Sequence, residues 1–169
     1  MDPLSITASA VAVATVTAQI ISLLSDIRSS GKAWPGRLHA LNNELEDLSV
    51  VLHQVMTTVE NRKSRKIHGD VEENIPQLLA QGWQQLASLQ AILARLTSPE
   101  GTKSDNAVTR ALLWRREQPQ VAAIQVAIKR VKSSLNVLLG ASNSYALLTT
   151  TADEAVANYG QGGHDAYST

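Results

Sequence analysis

The residues that most often carry chemistry in proteins are few in this chain and stand at spacings that suit neither catalysis nor metal binding. Its histidines are His39, His53, His68 and His164, and no two of them stand one helical turn apart, as in an H-E-x-x-H metal motif. There is no cysteine, which excludes thiol catalysis and cysteine-ligated zinc. The sequence therefore predicts a protein that is not an enzyme and that holds neither a cofactor nor a metal.

Three further groups of residues have an ordinary structural interpretation. Glu44, Glu46 and Asp47 have no metal-ligating partner at helical spacing, so we interpret them as a solvated helix face. The glycine-containing stretch 160–163 lacks the preceding strand and following helix that a phosphate loop requires. No serine stands in a local nucleophile signature. None of these groups adds a catalytic candidate.

Charge is balanced over the whole chain but clustered locally. Lysine plus arginine and aspartate plus glutamate number 15 each, so no overall field attracts nucleic acid and we expect no such partner. Residues 95–132 hold eight basic groups against three acidic ones, and residues 62–66 form a second basic cluster. Such clusters are either solvated surface or sites of attraction to anionic lipid, at roughly 1 kcal/mol per basic side chain. The predicted lipid contacts are Arg62, Lys63, Arg65, Lys66, Arg110, Arg115 and Arg116.

The first helix that must position such groups is unusual because no charged side chain occurs between Asp2 and Asp26. Asp2 can cap the helix and Pro3 suits its first position. The segment is apolar on more than one face, so it is buried in a bundle, inserted in a membrane, or both at different times. It is about long enough to insert, since roughly 20 apolar residues span a bilayer. The predicted insertion residues are Leu4, Ile6, Val11, Val13, Val16, Ile20, Ile21, Leu23 and Leu24.

Hydrophobic spacing is helical along the rest of the chain, and strand-type alternation never lasts more than a few residues. The predicted helices span residues 3–29, 34 onward, 70–97, 106–117 and 121–149. Pro76 marks a kink or a later start of the third helix, and Pro119 is predicted to interrupt the last two. In the first helix the clearest apolar seam is Val13, Val16, Ile20, Leu23 and Ile27. The predicted core of the second and last helices includes Leu41, Leu45, Leu48, Leu52, Ile124, Ile128, Val131 and Leu135.

These elements predict an all-α protein, an up-down bundle of four to five helices that occupies residues 1–149. Residues 150–169 contain glycine and acidic residues but almost no large aliphatic side chain, so we expect a disordered, flexible tail. Trp34, Trp83 and Trp114 each lie near a helix end or beside a glycine. An indole in such a place is either a core residue or an anchor at the water–lipid boundary.

Two segments of the chain resemble a known family. The opening Met1-Asp2-Pro3-Leu4-Ser5-Ile6-Thr7-Ala8-Ser9 is similar to the start of the fungal HeLo-like domain, the N-terminal domain of fungal STAND (NLR-type) receptors, which is also named for an azaphilone pigment cluster protein. Residues 114–117 and the later Lys132-Ser133-Ser134-Leu135 resemble the family's second signature, in which a Trp-containing segment precedes a K-S-x-L pattern. The resemblance covers about residues 1–149. No P-loop and no ankyrin or WD repeat accompanies the bundle within this sequence.

The resemblance implies a HeLo-like effector or signalling domain of fungal innate immunity. Its relatives execute regulated cell death, as in heterokaryon incompatibility, by exposing the N-terminal helix and attacking the plasma membrane. The expected partners are a second copy of the chain, a cognate NLR receptor and anionic membrane lipids. The N-terminus lacks the basic region of a signal peptide, so we expect a cytoplasmic protein that relocates to the plasma membrane on activation.

A different class of function fits the same pattern. Apolar seams at heptad spacing also suit a helical interaction or oligomerisation module of a STAND receptor that never touches lipid. An enzyme of pigment biosynthesis is a third alternative, and the missing catalytic residues disfavour it.

Overall fold

The part of the chain that the structure describes is helical. This computed structural model describes the backbone of residues 3–29, 36–65, 74–97 and 107–161, and the side chains of residues 6–26, 36–62, 74–97 and 112–144. The helices are α1 (Pro3–Ser29), α2 (Gly36–Arg65), α3 (Ile75–Thr97) and α4 (Ala107–Gln161). Those ranges contain no strand. The prediction of an all-α helical bundle is confirmed.

The start of α3 is set by Asn74 and Pro76. The Asn74 carbonyl accepts a hydrogen bond from the Leu78 N–H (3.2 Å), so Asn74 occupies the N-cap position. Pro76 then lies in the first turn, where its missing N–H leaves no intrahelical bond unmade. The start predicted near Asp70 lies outside the described residues.

The two last predicted helices are one helix, because α4 continues through Pro119. A proline inside a helix removes one backbone hydrogen bond and costs about 3 kcal/mol. Burial on both sides offsets that cost, since Glu117 and Val121 are buried and Trp114 packs against the core. The α4 backbone also continues past residue 149, the expected end of the bundle, to Gln161, and residues 162–169 of the predicted tail lie outside the described part.

Each helix has two neighbours. In the described part of the chain α1 packs against α2 and α3, α4 packs against α2 and α3, and the pairs α1/α4 and α2/α3 lie across the diagonals. The chain therefore crosses the bundle diagonally between α2 and α3. Sequence periodicity predicts neither this crossing nor the resulting α1/α3 and α2/α4 pairs.

The directions of the helices follow from side chains that meet along them. Glu44 lies opposite Lys132, and further along both helices Arg62 reaches the carbonyl of Ser142, so α2 and α4 run parallel. Short links favour antiparallel neighbours, as for α1 and α2.

The helices α3 and α4 are antiparallel. Arg95, near the end of α3, pairs with Glu117 near the start of α4, whereas Ile75 shares a small cavity with Leu139. It follows that α1 and α3 run parallel, and the direction alternates along the chain as predicted.

The core follows the predicted seams of α2 and α4 closely, since all eight side chains predicted to be buried there are 0–5% exposed. In α1 the predicted seam is partly wrong. The buried residues are Ile6, Ala10, Val13, Thr17, Ile20 and Leu24. Val16 and Leu23 only flank the core, and Leu24, which the predicted seam left out, belongs to it. The small or polar residues Ala10 and Thr17 occupy core positions that a purely apolar pattern passes over.

Leu48 tests the bundle core. It is 1% exposed, and we expect Leu48→Ala to lower the free energy of unfolding by about 2–5 kcal/mol through the cavity it leaves. Urea unfolding followed by circular dichroism measures this. Val50→Ala, two residues away and largely exposed, is the control and should change stability by less than about 0.5 kcal/mol. Equal effects in the two variants would contradict the core described here.

Candidate functional site

The first candidate is the outer face of α1. The stretch Ile6–Asp26 is long and apolar enough to cross a membrane, and only 28% of it is buried in the bundle. Its exposed residues are Asp26 at its end and, over residues 6–25, alanine, serine, threonine, glutamine and Val11, which is 47% exposed. The helix therefore presents an uncharged surface over residues 6–25.

The residues predicted to insert occupy three kinds of position. Ile6, Val13, Ile20 and Leu24 are buried, Val16, Ile21 and Leu23 are partly buried, and Val11 is exposed. The side chain of Leu4 lies outside the described residues. The expectation that these aliphatic side chains cannot all share one seam therefore agrees with their distribution.

Two threonines of α1 find hydrogen-bond partners within the helix. Thr17 is fully buried, and its hydroxyl donates to the carbonyl of Val13 at 2.8 Å. The hydroxyl of Thr15 donates in the same way to the carbonyl of Val11, also at 2.8 Å. Because these bonds travel with the helix, both hydroxyls would stay satisfied if α1 left the bundle.

The neighbour of α1, helix α3, is equally free of charge, since residues 74–94 contain no acidic or basic side chain. Gly82 of α3 lies at the meeting point of three helices. A Cβ added there would lie 3.5 Å from Cγ1 of Val131 in α4 and 3.9 Å from Cγ1 of Val13 in α1. Both are ordinary contact distances, so this position accepts a small side chain.

Trp83 lies on the flank of α3 that faces α1. Leu78 and Gln81 line a shallow groove between α3 and α4, so they mark the opposite flank. Successive residues of a helix turn by about 100°, which puts Trp83 on the other side, where α3 packs against α1. Trp83 is 43% exposed, so it does not occupy the core position that was one of its two predicted roles.

The predicted lipid contacts at the end of α2 include one residue that the fold withdraws from the surface. Arg62 is 7% exposed, and its Nη2 donates to the carbonyl of Ser142 at 3.3 Å. Arg62 therefore joins α2 to α4 and does not reach a lipid surface in this fold. The side chains of Lys63, Arg65 and Lys66 lie outside the described residues.

The second predicted cluster lies at the opposite end of the bundle. Arg115 and Arg116 of α4 are exposed, and the side chain of Arg110 lies outside the described residues. Arg116 Nη2 pairs with Oε1 of the buried Glu117 (3.1 Å), whose Oε2 is 3.5 Å from Nη2 of Arg95 in α3. Two arginines, Arg95 and Arg116, thus pair with one buried carboxylate.

The acidic cluster on α2 is not simply a solvated face. Lys132 Nζ lies 2.7 Å from Oε2 of Glu44 and 2.8 Å from Oδ2 of Asp47, and Lys129 Nζ lies 3.2 Å from Oε1 of Glu44. These contacts join α2 to α4 midway along the bundle. The only sequence signal is an acidic pair three residues apart on α2 and a basic pair three apart on α4, and it has meaning only once these helices are known to be parallel neighbours.

The ion pairs decide the protonation of this network. Burial by itself would raise the pKa of Glu44, but hydrogen bonds from Lys132 and Lys129, together with their charges, outweigh burial and hold that pKa below its usual 4.5. Burial likewise opposes the charged form of Lys132, whereas Asp47 and Glu44 raise its pKa above the usual 10.5. Glu44 and Lys132 are thus both charged between pH 4.5 and pH 10.5.

The candidate chemistry of the histidines gains no support from their positions. His39 and His53 are exposed on α2, and His68 and His164 lie outside the described residues. Within the described residues no group of three or more histidine or acidic side chains is placed to hold a metal ion.

Stability should depend on pH through Glu44. Because folding lowers its pKa, its contribution is present above pH 4.5 and disappears as pH falls through the folded-state value. We expect Glu44→Gln to lower the free energy of unfolding at pH 7 by about 1.5–3 kcal/mol, and by less at pH 3. Urea unfolding at both pH values measures this.

The control for this prediction is Glu46→Gln. Glu46 is exposed and accepts a hydrogen bond from Asn42 at 2.6 Å within the same helix. This variant should change stability by less than about 0.5 kcal/mol at either pH. A loss at pH 7 equal to that of Glu44→Gln would show that the bridge between helices contributes nothing specific.

Comparison with known proteins adds no identity to this description. No protein-family model, curated protein or solved structure matches the chain. The likeness to the fungal HeLo-like domain therefore rests on the residues quoted from the sequence.

Proposed function

We propose that the protein is a non-enzymatic effector or signalling domain of fungal NLR-type immunity, which executes regulated cell death by inserting α1 into the plasma membrane. The observation that supports this most is the construction of α1. Among the described residues it is the helix long and apolar enough to span a bilayer, it carries no charge over residues 6–25, and the hydroxyls of Thr15 and Thr17 bond to their own helix. A membrane-spanning segment must satisfy its backbone and hydroxyl groups internally, and these two threonines do so.

If α1 moved from the bundle into a bilayer, most of its apolar side chains would stay out of water. Ile6, Val13 and Ile20 would leave the protein core for hydrocarbon of similar polarity. Val11, now 47% exposed, would gain burial at roughly 25 cal/mol for each Å² removed from water. The buried aliphatic side chains of α1 are therefore shielded from water in both places, so an activating signal need not supply the cost of exposing them.

The rest of the bundle has its own connections. The ion pairs of Glu44 join α2 to α4, and the pair of Arg95 with Glu117 joins α3 to α4. Between residues 6 and 25, α1 has no charged side chain and is held there by packing and not by ion pairs. Release of α1 would thus leave the helices around α4 tied to one another.

The proposed partners follow from the surface. Exposed Arg115 and Arg116 would attract anionic lipid of the inner leaflet, so the protein would move from the cytoplasm to the plasma membrane on activation. Ala8 and Ala12 are exposed on α1, and small residues permit close approach of inserted helices in a homo-oligomer. A cognate NLR receptor would supply the signal.

The alternative proposal is a helical interaction module of a STAND receptor without membrane activity. The uncharged outer face of α1 favours this reading as well, because interface cores are depleted of charged residues. In that case α1 would remain in the bundle and permeabilise no membrane. A test that separates the two proposals must therefore determine whether α1 has to leave the bundle.

A disulfide between α1 and α3 tests the release of α1 directly. A Cβ at position 82 would lie 3.9 Å from Cγ1 of Val13, so the two positions are in direct contact and suit an engineered cross-link, and the chain has no native cysteine. We expect the oxidised Val13→Cys/Gly82→Cys variant to bind vesicles without dye leakage, and leakage to appear on adding dithiothreitol. The single-cysteine variants, treated identically, are the controls. Equal leakage from the oxidised and reduced double variant would contradict insertion of α1.

Val11→Asp tests the lipid contact itself with little effect on the fold, because Val11 is exposed. A charge at the centre of an inserted helix costs about 2.5–3.5 kcal/mol, so leakage should fall roughly 100-fold while circular dichroism stays unchanged. Val50→Asp, at an exposed valine of α2, is the matched control and should leak normally. Ile21→Asp is less suitable because Ile21 is partly buried. A folded Val11→Asp variant with full leakage would favour the interaction module.

A further inference from the structure

We propose that the intact bundle docks on an anionic bilayer surface through its α1/α3 side, with Trp83 as the anchor, before α1 is released. This side is defined by the outer faces of α1 over residues 6–25 and of α3 over residues 74–94. The proposal rests on the proposed function only for the choice of a membrane as the partner. It adds the orientation of the bundle on the membrane and a second contacting helix, α3. It concerns the fold in which α1 is still packed in the bundle.

Charge is segregated between the two sides of the bundle. Residues 6–25 of α1 and 74–94 of α3 contain no ionised side chain, whereas the described parts of α2 and α4 carry all the charged residues between the bundle ends. Because α1 and α3 are neighbours and α2 and α4 are neighbours, the uncharged helices share one side and the charged helices share the other. The charged and uncharged residues are therefore divided between two pairs of neighbouring helices and are not mixed over the surface.

The position of Trp83 fits the water–lipid boundary. Its indole is 43% exposed and lies on the flank of α3 that faces α1, near the middle of the uncharged side. Tryptophan is enriched at membrane interfaces because its ring is apolar and its N–H is polar. Around it the exposed residues are alanine, serine, threonine and glutamine, which contact headgroups without the desolvation cost of a charge.

The arginines at one end of that side favour an anionic bilayer over a second copy of the chain. Arg95 and Arg116 share the carboxylate of Glu117 and Arg115 is exposed beside them, so these four described side chains carry a net positive charge next to the uncharged side. Anionic headgroups supply the missing countercharge. A second copy packed through its own residues 6–25 and 74–94 brings no acidic group to these arginines.

The docking test uses Trp83 as its own probe. In full-length protein with Trp34→Phe and Trp114→Phe, and with the Val13→Cys/Gly82→Cys disulfide oxidised, α1 cannot leave. We expect a blue shift of Trp83 emission, and quenching by brominated acyl chains, with vesicles of phosphatidylcholine and phosphatidylserine. Pure phosphatidylcholine vesicles should give a weaker response, and added salt should weaken the anionic one. No change in Trp83 emission under any of these conditions would overturn the proposal.

A second measurement leaves the other tryptophans in place. We expect Trp83→Ala, in the otherwise native chain, to lower vesicle partitioning in sedimentation assays by roughly tenfold, since the lost area is large and apolar. Trp83→Phe should recover part of the loss. Circular dichroism checks that each variant is folded. Unchanged partitioning in folded Trp83→Ala would overturn the proposal.

A matched pair of charge variants tests the orientation. Gln90 is exposed on the same flank of α3 as Trp83, two turns later, and Gln54 is exposed on α2. Gln90→Glu should lower partitioning into anionic vesicles roughly fivefold, the effect of about 1 kcal/mol per charge near the surface, whereas Gln54→Glu should have a smaller effect. Equal losses would mean that only net charge matters and would overturn the docking side.

The outcomes separate the two proposals. Docking of the oxidised disulfide variant without leakage after reduction would uphold this side as a membrane surface and reject insertion of α1. Leakage after reduction without docking in the oxidised form would support insertion and overturn this inference. A concentration-dependent blue shift of Trp83 without vesicles, with a dimer mass by light scattering, would assign the side to a second copy and overturn it too.

Discussion

The absence of charge from residues 6–25 of α1 and 74–94 of α3 is the constraint on which the rest of the structure depends. Ion pairs join α4 to its two neighbours at different heights: Glu44 with Lys132 from α2, and Arg95 with Glu117 from α3. Helix α4 is the common partner of both. Over residues 6–25, α1 has no such directional contact and is retained by burial, which is strong in total but specifies no single partner.

Sequence patterns were sufficient for the parts of the fold where one residue type recurs without interruption. The leucine stripe of α2 and the valine and isoleucine stripe of α4 identify buried positions directly, because each heptad position is large and aliphatic. In α1 the same reasoning selected Val16 and Leu23 over Ala10 and Thr17. An apolar helix has several seams of similar hydrophobicity, and the neighbouring helices determine which of them is buried.

The contacts between helices could not be predicted from the hydrophobic periodicity of the sequence, because they depend on which helices are neighbours. Arg62 belongs by sequence to a basic cluster, yet the parallel packing of α2 on α4 buries it against Ser142. The network of Glu44 likewise needs the diagonal crossing between α2 and α3, which no local signal encodes. Pro119 was expected to end a helix, but tertiary burial on both sides of it outweighs the local preference.

The diagonal crossing also has a kinetic consequence. The chain forms two sequence-local hairpins, α1 with α2 and α3 with α4, and only their mutual docking creates the α1/α3 and α2/α4 contacts. Local contacts form early and distant ones late in topologically simple folding. The junction at Gly82, where Val13 and Val131 meet from distant parts of the chain, would therefore close last. The ion pairs that join α2 to α4 would then form only in the last folding step, when the two hairpins dock.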